Sequence, residues 1–239
     1  MDRKAFFDAV RERPFGGRLS QEQVRGLEDL LAAAPADMAL EPLAYCLATT
    51  YHETARTMQP IKEHGGERYF HRMYDIQGNR PHVARALGNT QPGDGARFAG
   101  RGYVQITGRT NYERAGRLLG IDLVGSPALA LKPQYAAPIL YTGMVEGWFT
   151  GRRLSHYFGD GKHDPVNARR IVNGTDRAGQ IAGYHDMFEA ALREAGCAPG
   201  SAAPIPPPPD VEPVPDKRDA ASFWAALYEW LREWFGRKP

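Results

Sequence analysis

Glu53 stands where a carboxylate could act as a proton donor. A helical pattern over residues 40–51 centres its apolar stripe near Leu47, and Glu53 would lie about 150° around the helix from that stripe. Its own helix would therefore leave Glu53 outside the core, at a helix C-terminus where the dipole disfavours negative charge. We expect a raised pKa for Glu53, which suits a general acid. An ordinary solvated glutamate is the alternative.

A second carboxylate could face Glu53 across a cleft. Glu63 follows ten residues later, and Glu67 and Asp75 are rival candidates. Two carboxyl groups on opposite sides of a sugar can hydrolyse a glycosidic bond, one as acid and one as base. A separation of roughly 6.5–9.5 Å would leave room for a water molecule and predict inversion at the sugar carbon. Spacing along the chain does not choose among the three partners.

Two further segments carry side chains suited to a ligand rich in hydroxyl and amide groups. Residues 98–108 contain Gln105 and Thr107, and Asn111 follows them. Residues 168–174 end in Asn-Gly, which is also a common helix C-cap signal. A helix end with solvated arginines is therefore the alternative interpretation of the second segment.

Metal and nucleotide chemistry are disfavoured by particular residues. A zinc peptidase helix needs a second histidine four residues after His52, and that position is Arg56. Gly100 and Gly102 begin a dinucleotide fingerprint, but Gln105 stands in place of the third glycine. We therefore expect neither a metal nor an organic cofactor.

The elements that must position these residues are predicted to be mainly helical. Ser20 with Gln23 resembles a capping box, and apolar residues recur at helical spacing. Helices are expected twice within 1–34, once after a cap at Asp37, and at about 110–119, 133–149, 163–172 and 176–195. Residues 58–100 lack periodicity and should form a long ordered loop, with a small hairpin at 68–78 or 97–106.

Composition divides the chain of 239 residues into a body and a tail. Eight of the 19 prolines lie within residues 199–215, which predicts a semi-rigid linker over 197–221. Residues 222–239 then read as a short amphipathic helix. The remaining residues, 1–196, form a body large enough for one domain with its own core.

Charge and cysteine content exclude several classes of protein. The net charge of +2 gives no electrostatic case for nucleic acid as a partner. Cys46 and Cys197 are too few for a disulfide scaffold or a zinc site built from cysteines. The sequence contains no run of 18 apolar residues, so a membrane-spanning helix is not expected. The N-terminus shows no secretory signal.

Taken in their order along the chain, the motifs resemble those of glycoside hydrolase family 19, the chitinase family that includes bacteriophage endolysins. His52-Glu53-Thr54 is similar to the family's His-Glu-Thr segment. The stretch 100–112 is similar to its Gly-Arg-Gly-x-x-Gln segment with the following Asn-Tyr. The stretch 169–174 is similar to its Arg-x-Ile-x-Asn-Gly segment, and the resemblance covers roughly residues 35–195.

The segment Pro60–Gly65 is similar to a Pro-Ile-x-Glu-x-Gly segment of the phage-lysin branch of that family. Plant members place their second glutamate about twice as far downstream and carry several disulfides. The resemblance therefore favours the phage branch and selects Glu63 over Glu67.

The resemblance implies a lysozyme-like helical domain with a deep substrate groove over residues 1–196. Glu53 would protonate the leaving oxygen, Glu63 would act as base on a water molecule, and Thr107 would help to hold that water. Substrate contacts would come from His52, Tyr103, Gln105, Asn111, Tyr112, Arg170 and Asn173.

The function implied by the phage branch is that of an endolysin that lyses the host. It would cleave the β-1,4 bonds of peptidoglycan as a muramidase or glucosaminidase, acting as a monomer on the glycan strands. Without a signal peptide, it would stay in the host cytoplasm until a holin-type release to the cell wall. A chitinase is the alternative within the enzyme class, a non-catalytic cell-wall-binding module is the alternative outside it, and a zinc amidase is disfavoured by the missing ligands.

The tail helix has two possible roles that amphipathicity does not separate. Its aromatic face could contact a membrane surface through Phe223, Trp224, Trp230 and Trp234. It could instead dock on the body or on a partner.

Overall fold

The computed structural model describes residues 1–197 and is mainly helical, as predicted. The helices are α1 Arg3–Glu12, α2 Gln21–Ala33, α3 Leu40–Glu53, α4 Glu67–Tyr74, α5 Pro81–Ala86, α6 Asp94–Arg97, α7 Arg109–Leu119, α8 Pro133–Glu146 and α9 Ala178–Glu194. The predicted linker beyond Cys197 and the tail helix with its four aromatic residues lie outside the described residues. None of the helices between residues 1 and 197 is long and apolar enough to cross a membrane.

Helix α3 lies at the centre of the body. Every residue from Ala44 to Tyr51 is buried, so α3 is buried on all sides and not along one stripe, as a central helix must be. Helix α9 packs along it, with the Tyr51 ring edge-on to Tyr184 at 4.8 Å between centroids. Helix α1 packs on α9, and α8 lies between α2 and α3. This burial fixes the position of Glu53, the last residue of α3.

Of the two helix N-caps predicted from the sequence, one is present and one is not. The capping box of Ser20 and Gln23 is present at the start of α2. The predicted cap at Asp37 is wrong, because α3 begins after Ala39 without a side-chain cap. The burial of α3 supplies the stability that a cap would add.

The prediction of a long loop over residues 58–100 is wrong, because this segment contains α4, α5 and α6. These helices have only eight, six and four residues. A helical period needs a window of about 11 residues or more to be recognised. The possible hairpin at 68–78 is therefore occupied by α4.

Two small antiparallel ladders complete the fold. Strand β1 (Ile61–Lys62) pairs with β2 (Arg101–Gly102), and Arg101 and Ile106 exchange backbone hydrogen bonds, so a tight reversal does form within 97–106. Strands β3 (Phe158–Gly159) and β4 (Lys162–His163) form a second hairpin. The helix predicted over 163–172 is reduced to one 3₁₀ turn, Asn167–Ile171.

Candidate active site

Glu53 and Arg169 form a buried ion pair at the C-terminal end of α3. The Arg169 Nη1 donates to Glu53 Oε1 at 2.5 Å, and Arg169 Nε donates to the carbonyl oxygen of Asp176 at 3.2 Å. The side chains of Arg169 and Glu53 are 2% and 9% exposed. The 3₁₀ turn therefore delivers a guanidinium to a glutamate that lies 116 residues away along the chain.

The environment of Glu53 lowers its pKa. Burial alone would raise that pKa, but the positive charge of Arg169, with a smaller contribution from His52 and the Arg169 hydrogen bond, outweighs it. The expectation of a raised pKa from the helix dipole is therefore wrong. A direct ion pair in a poorly hydrated site exceeds a dipole effect of about 1 kcal/mol or less.

Glu63 is held by two hydrogen-bond donors directly after β1. The Tyr74 hydroxyl donates to Glu63 Oε1 at 2.8 Å, and the Gly100 N–H donates to Oε2 at 3.0 Å. The Glu63 N–H in turn donates to the Gly100 carbonyl oxygen at 2.8 Å. Both carboxylate oxygens of Glu63 therefore have a fixed partner, and the residue is only 7% exposed.

The pKa of Glu63 is raised, in contrast to that of Glu53. Burial is the dominant cause, and it outweighs the hydrogen bonds from Tyr74 and Gly100 and the positive charge of Arg101, which all act in the opposite direction. In the ligand-free site Glu63 is therefore more easily protonated than Glu53.

Gly100 allows the close approach of the Glu63 carboxylate. A Cβ on this residue would lie 3.0 Å from Glu63 Oε2 and 3.1 Å from Gln105 Oε1. Substitution of Gly100 would therefore displace one of these side chains. The first glycine of the Gly-Arg-Gly segment therefore has a steric function beside the carboxylate.

Gln105 connects β1 to the reversal that follows β2. Its Nε2 donates to the carbonyl oxygens of Ile61 and Gly102 at 2.9 and 2.8 Å, and its backbone has a positive φ of 56°. Thr107 Oγ1 donates to the Gln105 carbonyl oxygen at 2.9 Å, and Asn111 Nδ2 donates to the Thr107 carbonyl oxygen at 2.7 Å. These hydrogen bonds hold the reversal that follows Gly100, the residue whose N–H binds Glu63.

Two of the predicted substrate contacts are placed in the core. Tyr103 and Tyr112 have no exposed surface, so neither side chain can touch a ligand in this conformation, and the prediction is corrected for both. The Tyr112 hydroxyl donates to the Ala99 carbonyl oxygen at 2.9 Å and accepts from Arg101 Nη1 at 2.8 Å. The rings of Tyr103 and Tyr112 pack in the core beneath the reversal, where large aromatic side chains bury much apolar surface.

The structure brings Arg169 to Glu53 and leaves Arg170, the predicted contact, on the exposed surface. Asn173 is buried, and its Oδ1 accepts from the Gly174 N–H at 2.8 Å. His52 is partly buried beside Glu53, and burial lowers its pKa. The sequence signal for Arg169 was its place as the first residue of the Arg-x-Ile-x-Asn-Gly segment, although Arg170 was the residue chosen as the contact.

Glu67 and Asp75, the alternatives to Glu63 as the second carboxylate, lie in different environments. Glu67 is exposed at the start of α4. Asp75 has no exposed surface, and its Oδ2 accepts from the N–H groups of Gly93 and Gly95 at 2.8 and 3.2 Å. Asp75 therefore organises the loop before α6, and Glu63 is the carboxylate that lies against the Gly100 segment.

We expect Arg169→Met to reduce the free energy of unfolding by about 3 kcal/mol near neutral pH, because it leaves the Glu53 carboxylate buried without its partner. In the parent chain the lowered pKa of Glu53 contributes stability above the ordinary glutamate pKa, and this contribution is lost as the pH falls through the lowered value. In the variant, burial raises that pKa, so the deficit should grow as the pH rises from 4 to 7. Urea unfolding across this range measures it.

Arg170→Met is the matched control for this prediction, since Arg170 is the exposed neighbour in the same turn. It should change the free energy of unfolding by no more than about 0.5 kcal/mol. Equal losses in the two variants, or a deficit independent of pH, would show that the ion pair does not stabilise the fold.

A family model described as Chitinase class I, of glycoside hydrolase family 19, matches residues 30–181. Chitinase 8 of rice (Oryza sativa subsp. japonica) is 34% identical over 90 residues, which are 36% of this chain and 31% of that protein. Acidic endochitinase Q of tobacco is 32% identical over 89 residues, 37% of this chain and 32% of that protein. An endochitinase of avocado (Persea americana) is 28% identical over 144 residues, 59% of this chain and 41% of that protein.

The chain therefore spans about a third of the length of the rice and tobacco relatives. Among solved structures, chitinase C from Streptomyces griseus HUT6037 is 24% identical with a TM-score of 0.47, covering 82% of this chain and 77% of that chain. A bacterial family 19 chitinase is 23% identical with a TM-score of 0.46, covering 82% and 95%. Since the family model covers more than half of its residues, this chain belongs to glycoside hydrolase family 19.

Proposed function

We propose that the chain hydrolyses a β-1,4 glycosidic bond in a glycan that contains N-acetylglucosamine, with Glu53 as the general acid and Glu63 as the general base. The observation that carries the proposal is the pair of buried glutamates in a family 19 chain, Glu53 held by Arg169 and Glu63 held by Tyr74 and Gly100. Two carboxyl groups in distinct environments are the equipment of glycoside hydrolysis.

Glu63 is suited to activate a water molecule. Tyr74 and Gly100 fix its orientation, and each carboxylate oxygen keeps a lone pair with which to accept a proton from water. The hydroxyl proton of Thr107 is directed to the Gln105 carbonyl oxygen, so the Thr107 oxygen is available as an acceptor for the same water. The raised pKa of Glu63 makes it a stronger base than an exposed glutamate.

Glu53 must carry a proton before it can act as the acid, and in the ligand-free site Arg169 favours its ionised form. The proposal therefore includes a loosening of the Glu53–Arg169 pair when the glycan binds. Displacement of the guanidinium would leave burial as the dominant influence and raise the pKa of Glu53. Hydrogen bonds at catalytic groups commonly rearrange on substrate binding.

A chitin-type polymer of N-acetylglucosamine is the first candidate substrate. The rice, tobacco and avocado relatives are all named as chitinases or endochitinases. The second candidate is the glycan strand of peptidoglycan, which would make the protein a phage endolysin. It is favoured by the segment Pro60–Gly65, which resembles the phage-lysin branch and places Glu63 only ten residues after Glu53.

Product identification by mass spectrometry separates these candidates. The full chain is incubated with N-acetylglucosamine hexamer and, separately, with purified peptidoglycan. Shorter N-acetylglucosamine oligomers would support the chitinase function, and cleavage of peptidoglycan strands alone would support the endolysin. Binding to either glycan without new reducing ends would contradict the proposal and favour a non-catalytic wall-binding module.

We expect Tyr74→Phe to move the acidic limb of the pH profile of kcat/KM to higher pH. The Tyr74 hydroxyl favours the ionised form of Glu63, so its loss raises the pKa of a base that must be ionised to act. A hydrogen bond to a charged group contributes about 1.5–3 kcal/mol, and a shift of one pH unit corresponds to about 1.4 kcal/mol.

Tyr141→Phe is the matched control, since it removes another buried tyrosine hydroxyl, one that donates to the Leu30 carbonyl oxygen and does not touch Glu63 or Arg101. Its pH profile should keep the parent limb even if its activity falls. The same displacement in both variants would assign the limb to a general loss of structure, and no displacement in Tyr74→Phe would argue against Glu63 as the base.

A further inference from the structure

We propose that His163, His185, Asp186 and Glu189 bind a divalent transition-metal ion, zinc in the first place. Three of these residues lie on α9, and His163 ends strand β4. One ligand-capable atom from each residue lies within 4.8 Å of those of the others. The proposal is independent of the glycosidase function.

The separation of His185 and Asp186 fits a common ion, and the other ligand atoms would have to move closer together on binding. His185 Nδ1 lies 3.2 Å from Asp186 Oδ1 and 3.9 Å from Glu189 Oε2. Zinc is bound by imidazole nitrogen and carboxylate oxygen at about 2.0–2.2 Å, so two ligands in a tetrahedral site lie about 3.3 Å apart. His185 and Glu189 are four residues apart on α9, the spacing that places two side chains on one face of a helix.

The His185 imidazole is a buried group without a full set of partners. It has no exposed surface, and its Nε2 has no hydrogen-bond partner among residues 1–197. The Phe158 ring stacks on it at 5.4 Å between centroids, and the Tyr45 ring lies at 6.0 Å. Packing therefore fixes the ring so that Nδ1 faces the two carboxylates of α9.

That orientation makes the space between the ring and the carboxylates suitable for a cation. If Nε2 carries the proton of the neutral ring, the lone pair of Nδ1 points at two carboxylates, which a bound cation would make favourable. If Nδ1 carries it, one proton serves both Asp186 and Glu189. A metal ion in place of that proton would be coordinated by His185, Asp186 and Glu189 at once.

Neighbouring charged residues support the site without filling it. Arg193 binds Glu189 through Oε1, at 2.5 Å from Nη2, while Oε2 faces His185. Glu41 Oε1 lies 3.6 Å from His163 Nδ1, and a carboxylate on the second nitrogen of a ligating histidine fixes the ring and increases its basicity. Histidine nitrogen with carboxylate oxygen is a donor set that suits zinc.

The ion would act as a structural clip between β4 and α9. Glu41 belongs to the first turn of α3 and Glu53 to its end, which places the cluster about 18 Å along the helix from the glutamate of the active site. The metal would join the β3–β4 hairpin to the central helices and stabilise the fold, with no part in the hydrolysis.

Calorimetric titration of the untagged full chain with zinc chloride, after dialysis against a chelator, tests this site. We expect one zinc per chain and a higher thermal midpoint of unfolding in the presence of zinc. His163→Ala and Asp186→Asn alter exposed ligands and should each weaken zinc binding by about tenfold or more. His82→Ala, an exposed histidine on α5, is the matched control and should bind zinc like the parent chain.

Absence of zinc binding by the parent chain would overturn the proposal. Parent-like affinity in both His163→Ala and Asp186→Asn would overturn it as well. Because the substituted side chains are exposed, circular dichroism should show that the variants are folded, so that a loss of binding reports on the ligands themselves.

Discussion

Glu53→Gln should reduce kcat/KM for glycan hydrolysis by about a thousandfold, within the range of about 10²–10⁴ that a general acid contributes. The glutamine keeps an oxygen that can accept from Arg169, but it has no proton to give to the leaving oxygen. It also removes the negative charge opposite a buried guanidinium, so we expect some loss of stability. Reducing-end release at a temperature where circular dichroism shows a folded variant measures the effect.

Glu12→Gln provides the control for this substitution. Glu12 is the last residue of α1, as Glu53 is of α3, but its side chain is exposed. Its activity should equal that of the parent chain. Parent-like activity in Glu53→Gln would remove Glu53 from the mechanism and favour its interpretation as the structural partner of Arg169.

Glu63→Gln should be nearly as damaging, with a loss of about 10²-fold or more. A carboxylate accepts from both Tyr74 and Gly100, whereas an amide presents one oxygen and one NH₂ group. If the oxygen faces Gly100, the Tyr74 hydroxyl must turn and accept, and if it faces Tyr74, the Gly100 N–H meets a second donor. In neither case does the side chain abstract a proton from water.

Glu67→Gln is the control here, because Glu67 is exposed at the start of α4 and was the rival second carboxylate. It should retain full activity. A severe loss in Glu67→Gln together with an active Glu63→Gln would show that the wrong glutamate had been assigned as the base.

The long helices of this fold could be predicted from the sequence, and its short elements could not. Helices α2, α3, α8 and α9 repeat apolar residues over three turns or more, which is enough for a period to be recognised. The segment from α4 to α6 has no such run. Its shape depends on buried contacts such as Asp75 with Gly93, which join residues 18 positions apart.

The candidate site shows a similar division. Glu53 and Glu63 could be proposed because their motifs are local and resemble those of a known family. Arg169 and Tyr74 could not, because their contacts with the two glutamates exist only in the folded chain. The predicted direction of the shift in the Glu53 pKa was wrong for the same reason. The sequence shows that Glu53 ends a helix, but it does not show that the Arg169 guanidinium lies beside it.

The proposed metal site shows how a set of ligands can lie outside any local motif. The position four residues after His52 is Arg56 and not a second histidine, and an absence of metal was expected on that ground. The cluster of His163 with His185 combines residues 22 positions apart, which the β3–β4 hairpin and α9 bring together. No spacing rule of the zinc peptidase kind describes such a pair.

The anomeric form of the first product tests the division of work between Glu53 and Glu63 most directly. Hydrolysis of N-acetylglucosamine hexamer, or of peptidoglycan strands if those are the substrate, is followed by proton NMR before the product anomers interconvert. A water molecule activated by Glu63 on the face opposite the leaving group inverts the sugar carbon, so the α anomer should appear first from a β-1,4 bond. Initial appearance of the β anomer would contradict the account, because retention requires attack by a group other than a water held by Glu63.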